Sequence, residues 1–304
     1  MSVKERGKIE VWPPRSWTPQ GRAIFRDLED NDPRARVKAL QALACLENPG
    51  NETWRALDKA LSDDDERVRA EAVLCGAELN HTGCIHKVAQ MSRDSSLKVR
   101  VYAVGALGTL GLREGLEAVL EAFNSELPKI RKTAVIALAE IGGQSMASHL
   151  RNALKDEDAT VRWAAAAALG DIEDTESSDE LAAILSDGDD DVSFEAAYSL
   201  AKFGDARGLE VLKENVMDSK RGFSACEILG KLGDQRAVES LQEVRARLLI
   251  NPMLKLRAAA SLVLLGFESE KEYVVKKCTS RRVHIRQIAQ DLMNEIMCRE
   301  SDKE

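Results

Sequence analysis

Aromatic side chains are scarce in this chain: four Trp, three Tyr and six Phe make up 4% of 304 residues. A sandwich or barrel core draws heavily on aromatic and β-branched residues, so this poverty argues against one. Basic excess is also lacking. The formal net charge is −8, which disfavours nucleic acid as the main partner, since phosphate-backbone binders carry net positive charge. No run approaches 18 consecutive apolar residues, and the first residues, MSVKERGKIEVWPPRSW, hold no apolar core of the kind a signal peptide needs. The six cysteines form no C-x-x-C pair, and they read as reduced thiols of a cytoplasmic protein. Nucleophile elbow, phosphate loop, dinucleotide fingerprint and H-E-x-x-H are all missing.

What is present is a rhythm. A string of the form V-R-x-x-A-x-x-x-L occurs at Val68, Val99, Ile130 and Val161, with looser copies at Val37 and Val192. These starts fall 31 residues apart. A fixed period in this range signals stacked supersecondary units. Later copies placed at Arg221, Leu256 and Ile285 bring the expected total to about nine. Each copy opens a helix, termed B, whose apolar positions 0, 4, 7, 8 and 11 share one side. A shorter apolar helix, A, precedes each B, and an acidic Ser/Asp turn between them suits an N-cap. Glycines such as Gly111, Gly142, Gly204 and Gly233 stand where B helices end.

The strings Asp158–Gly170 and Leu97–Gly108, D-x-x-V-R-x-x-A-A-x-A-L-G in consensus, resemble the HEAT-like repeats of phycocyanobilin lyases. The resemblance spans about residues 22–297. It implies an all-α, right-handed α-α superhelix, with an extended N-terminal arm at 1–20, a single solenoid at 21–298 and a polar tail at 299–304. It also implies an Asp–Arg ladder between layers, drawn from Asp63, Arg69, Asp94, Arg100, Arg131, Asp158, Arg162 and Arg257. Arginine is missing at Ser193 and Gly222, so a weaker or bent joint is expected between 193 and 256. Deoxyhypusine hydroxylases of similar architecture use His-Glu pairs for iron; here no Glu adjoins His81, His86, His149 or His284.

Function is expected on the B side that points away from the core, which by the resemblance lines the concave surface of the solenoid. Position 2 holds Trp163, Phe194 and Phe223 in three consecutive copies, Tyr198 sits at position 6, and Tyr102 lies on the flank. Glu195 and Glu227 adjoin this stripe. The row Glu47, Glu78, Glu140 and Asp171 reads as an ordinary solvated edge, or else as a mildly acidic rim. Stacked aromatics on an open face read as a partner-binding surface; mutual packing between layers is the bland alternative. His81, Cys84 and His86 are metal-ligand types, but no fourth ligand accompanies them, so no metal is expected. Trp12 and Trp17, among prolines, suit a strap over the first layer. The expectation is therefore a non-catalytic, cofactor-free, monomeric adaptor for a protein or peptide segment. A subunit presenting a bilin-like tetrapyrrole to a target protein is the alternative from another class.

Overall fold

The computed structural model describes residues 19–45 and 51–301, and every regular element among them is helical. The arm with Trp12 and Trp17, the rim residue Glu47 and the end of the polar tail lie outside the described residues. The chain divides into two compact units, 1–143 and 144–304. The first holds four A/B pairs: α1 (Pro19–Asp27) with α2 (Pro33–Ala44), α3 (Asn51–Ala60) with α4 (Glu66–Glu78), α5 (Ile85–Met91) with α6 (Leu97–Leu110), and α7 (Leu116–Phe123) with α8 (Pro128–Gly142). The second holds five: α9 (Ala147–Ala153) with α10 (Ala159–Asp171), α11 (Ser178–Ala183) with α12 (Asp190–Lys202), α13 (Leu209–Glu214) with α14 (Gly222–Leu232), α15 (Val238–Ala246) with α16 (Pro252–Leu264), and α17 (Lys271–Lys277) with α18 (Val283–Ser301). Each unit is a HEAT-like stack, and the nine expected repeats are these nine pairs.

Turn chemistry starts each B helix. Asp32, Asp65, Asp158 and Asp189 accept from the second backbone N–H of the helix that follows, as does Asn251 ahead of α16. Inside each unit, successive B helices approach closely because small residues meet. A methyl group on Gly108 of α6 would lie 2.7 Å from the Ala137 backbone of α8; one on Gly230 of α14 would lie 2.7 Å from Ser261 of α16. Ser199 donates to the Ala166 carbonyl at 2.9 Å and Ser261 to that of Cys226 at 2.6 Å, so both buried hydroxyls are satisfied across layers. At the ends of α6 and α14, Gly111 and Gly233 take the left-handed conformation. At α8 that role falls to Gly143, φ +50°, while Gly142 remains helical.

The ladder is real but its members differ from the expected set. Arg36 forks onto Asp63 at 2.7 and 2.9 Å, Arg69 onto Asp94 at 2.8 and 2.9 Å, and Arg162 onto Asp187 at 2.8 Å on both arms. In each, the other guanidinium nitrogen, Nη1, donates to the carbonyl six residues back. The carboxylate is held in place by its own turn: Asp63, Asp94, Asp156 and Asp187 each accept from the N–H two residues on. Asp158 is therefore a cap, and Asp156 occupies the ladder position of that turn. Arg131 and Arg100 make the carbonyl contacts, to Ser125 and Asp94 respectively, as their place in the series requires.

Two repeat starts also move. Arg36 does in α2 what Arg69 does in α4, and buried Ala39, Leu40 and Leu43 correspond to Ala72, Val73 and Gly76. The first copy thus begins at Ala35, not Val37. In α16 the Ser261 bond matches that of Ser199, which places the start at Leu254, not Leu256. Arg257 falls at position 3 and belongs to the opposite face, not to the ladder. Where Ser193 lacks the arginine, Asp218 keeps the turn bond from the Lys220 N–H and adds one from the Arg221 N–H, each at 2.8 Å, while the Arg221 guanidinium lies 3.9 Å from Asp218 and 3.3 Å from Asp191. At Gly222 a side chain would strike the Val216 carbonyl at 2.7 Å, so the residue cannot be arginine without moving the turn.

Leu169 has no exposed surface. Leu169→Asp should cost about 3 kcal/mol or more, because it removes packed apolar volume and buries an unpaired charge; urea titration measures it. The Arg162 guanidinium, bonded to Asp187, holds that carboxyl below its ordinary value of 3.8. A depressed folded value means the rung's stabilisation is present above about pH 4, the unfolded range, and fades as pH falls through the folded value. In Arg162→Gln, the decline of melting midpoint between pH 4 and lower values should flatten.

Candidate partner-binding surfaces

The second unit contains the expected aromatic stripe, and the layers use it unevenly. Phe194, at 7% exposure, is a core residue among Ala197, Leu209, Leu212 and Val216, so its assignment to an open binding face is wrong. Position 2 points toward the gap between layers, and a large ring there fills it; Arg221 covers the ring's edge at 5.8 Å from the centroid. Trp163 is half-buried and hydrogen-bonded to Glu195 of the next B helix. Tyr198 is half-buried, 6.3 Å from Phe194 ring to ring. Phe223, 38% exposed, keeps an open face.

Polar groups between these rings are tied to one another. Arg257, almost wholly buried, donates to Glu295 of α18 at 2.6 and 3.2 Å and lies 3.6 Å from Glu227 of α14. Its guanidinium also stands 5.8 Å over Phe223. Lys231 bonds Glu227 from the other side. Burial raises the Glu195 carboxyl, and the Trp163 bond opposes that rise only in part. Burial and then the nearby Glu227 and Glu195 push the Tyr198 hydroxyl upward. Glu295, by contrast, ends below its ordinary range: burial works against ionisation, and the Arg257 bonds outweigh it. Glu195 and Glu227 therefore sit where expected, yet they serve a network running from α10 to α18. Arg257, at its centre, was expected in the ladder; a two-residue shift in the start of α16 turns it to another side, where it meets Glu295 of α18, a residue sequence reading did not single out.

The first unit offers a different surface. Tyr102, Val101 and Gly105 of α6, with Thr133, Ile136 and Glu140 of α8, line a groove that also reaches α4. Its volume is about 320 Å³, at the small end of ligand clefts. Ile136, 41% exposed, forms part of an apolar floor, and Gly105 leaves room above it. Lys98 stands over the Tyr102 ring at 5.5 Å. Among the described residues the Glu140 carboxylate has no hydrogen-bond or ion-pair partner, and partial burial raises it above the ordinary range. Sequence reading placed Glu140 in a solvated row, and the residue is exposed; its carboxylate nonetheless lies beside Gly108 of α6, which sequence alone could not show.

The remaining candidates stay apart. His81 stacks on Trp54 at 4.1 Å, Cys84 donates to the His81 carbonyl at 3.0 Å, and His86 is exposed. No group of three or more metal-ligand side chains is gathered among the described residues. The cysteines form no disulfide among the described residues, and burial pushes Cys75 and Cys226 up to about 12 and Cys84 to about 11, far from thiolate chemistry at neutral pH. No helix among the described residues is long and apolar enough to cross a membrane.

Residues 86–161 and 147–223 match the family model for HEAT repeats. Curated protein sequences yield no match. Among solved structures, the chain is similar to YibA of E. coli, with 20% identity and a TM-score of 0.59, over 80% of this chain and 91% of that one. It is similar to importin beta, with 14% identity and a TM-score of 0.57, over 91% of this chain and 46% of that one. The complex of CpcE and CpcF of phycocyanin lyase from Nostoc aligns over 88% of this chain and 99% of that one, at 17% identity and a TM-score of 0.49. At these identities the likeness is one of fold.

Truncating the two phenylalanines should separate core from surface. Phe194→Ala should cost about 3–5 kcal/mol of stability, whereas Phe223→Ala should leave the denaturation midpoint nearly unchanged. Equal losses in chemical denaturation would contradict this division.

Proposed function

This chain belongs to the HEAT-repeat proteins, a fold typical of protein-binding scaffolds, and from that premise we propose a non-catalytic adaptor that holds a segment of another protein on its B-helix faces. One observation carries the reading: the groove over α6 and α8 pairs an apolar floor with a carboxylate that no basic side chain among the described residues neutralises. Glu140 is exposed, with its carboxylate partly covered beside Gly108, and no basic side chain among the described residues compensates it. A partner bearing an apolar side chain next to Lys or Arg would fill the floor and supply the missing charge. On the second unit, Phe223 provides an exposed apolar contact, while Glu195, Glu227 and Arg257 hold its surroundings rigid.

The chemistry of the remaining groups supports a binding role. Buried thiols are far from ionisation, and the ladder acids are held by arginines. The net charge of −8 favours a basic protein segment over nucleic acid. Cysteines without a disulfide among the described residues support a reducing, cytoplasmic setting. The reading requires no cofactor.

Glu140→Gln tests it with two opposed effects. A carboxyl whose folded pKa is raised weakens the fold as pH rises through that value, so the glutamine form should melt higher at neutral pH. The same change should weaken binding of a peptide that carries Leu or Phe beside Arg by about tenfold. Fluorescence anisotropy with such a peptide, and with its Arg→Gln version, reads the second effect. Equal affinity in the two proteins, or an affinity indifferent to the peptide's arginine, would sink the proposal.

A further inference from the structure

One rung of the first unit's ladder is missing its anion. Arg100 of α6 donates through Nη1 to the carbonyls of Asp94 and Ser95, at 2.8 and 3.2 Å, as Arg69 does to those of Asp63 and Asp64. In Arg36 and Arg69 the remaining edge, Nε with Nη2, grips the aspartate of the next turn. The residue in that place for Arg100 is Ser125, which follows Asp94 by the 31-residue period. Ser125 keeps the turn, accepting from the Leu127 N–H at 3.2 Å just as Asp94 accepts from Ser96, but it carries no charge. Among the described residues Arg100 has no acidic partner. A cavity opens between the two; Ser92, Arg100, Asn124 and Ser125 are among its lining, as are the exposed acids Glu121 and Glu126. Arg93 stands at its edge, paired with the exposed Glu121.

We infer that this vacancy is a phosphate site, in which a phosphoryl oxyanion, free or esterified to Ser125, takes the place of the absent carboxylate and closes the rung on the Nε/Nη2 edge of Arg100. A guanidinium edge recognises phosphate and carboxylate by the same pair of parallel hydrogen bonds. A phosphate is bulkier than the aspartate side chain, and the cavity beside Ser125 gives it room. Serine is also a residue that modification converts to a dianion at this position. In the esterified form, the Ser125 Oγ attacks the terminal phosphorus of ATP on a protein kinase. The Oγ–P bond forms, the bridging P–O bond of ATP breaks, ADP departs, and the hydroxyl proton passes to the kinase's base. The consequence is the same for either source: α6 and the turn before α8 become tied as α4 and the turn before α6 already are.

The test is thermal unfolding of the full chain. Inorganic phosphate is titrated at constant ionic strength, and, separately, phosphoserine is installed at position 125. A dissociable ligand raises the midpoint of the unmodified protein by about 2 °C or more at saturation. An esterified one raises it by a similar amount without added phosphate while free phosphate does nothing. Either rise disappears in Arg100→Gln. Ser125→Asp should raise the midpoint alone and abolish the response to free phosphate, which also shows that the vacancy exists in a protein that folds. A rise that persists in Arg100→Gln, or no rise from either source, overturns the inference.

Discussion

A helix pair of this length cannot bury its own apolar face, and every other feature of the molecule follows from how neighbouring pairs solve that problem together. Burial between layers requires B helices to run close. Closeness requires small residues at one position, which is why Gly108 meets Ala137 and Gly230 meets Ser261 at distances no larger side chain tolerates. The same closeness fixes the turns, so that an arginine at the start of one B helix meets an aspartate at the start of the next. Apolar contact supplies the drive; the bidentate rung supplies register, since a fork fits a carboxylate in one orientation.

Departures from regularity are informative because the regular layers define what should be there. Where Ser193 stands in place of arginine, backbone N–H groups and Arg221 take over the acidic turn at Asp218. Where Ser125 stands in place of aspartate, nothing takes over, and Arg100 keeps an unengaged edge beside a cavity. The two B-helix faces differ in the same sense. In the second unit, acids and rings are consumed by one another around Arg257. In the first, Glu140 is left uncompensated next to an apolar groove. Charges that the fold does not satisfy are the ones available to a partner.

Periodicity alone determined the helical class, the pairing of helices and the count of repeats, since 31-residue spacing and one-sided apolar patterning leave few other ways to bury these side chains. It also located the acidic turns and the arginines at Arg69 and Arg162, which act through local turn geometry. Tertiary structure decided the rest. Whether Phe194 faces water or the next layer depends on how far apart two B helices stand, a distance no single helix encodes. Whether Arg257 joins a ladder or a buried network depends on a two-residue offset at the start of α16, because each residue turns a helix by about 100°. Whether the surface acid Glu140 has its carboxylate partly covered depends on a glycine 32 positions away in sequence and close in space.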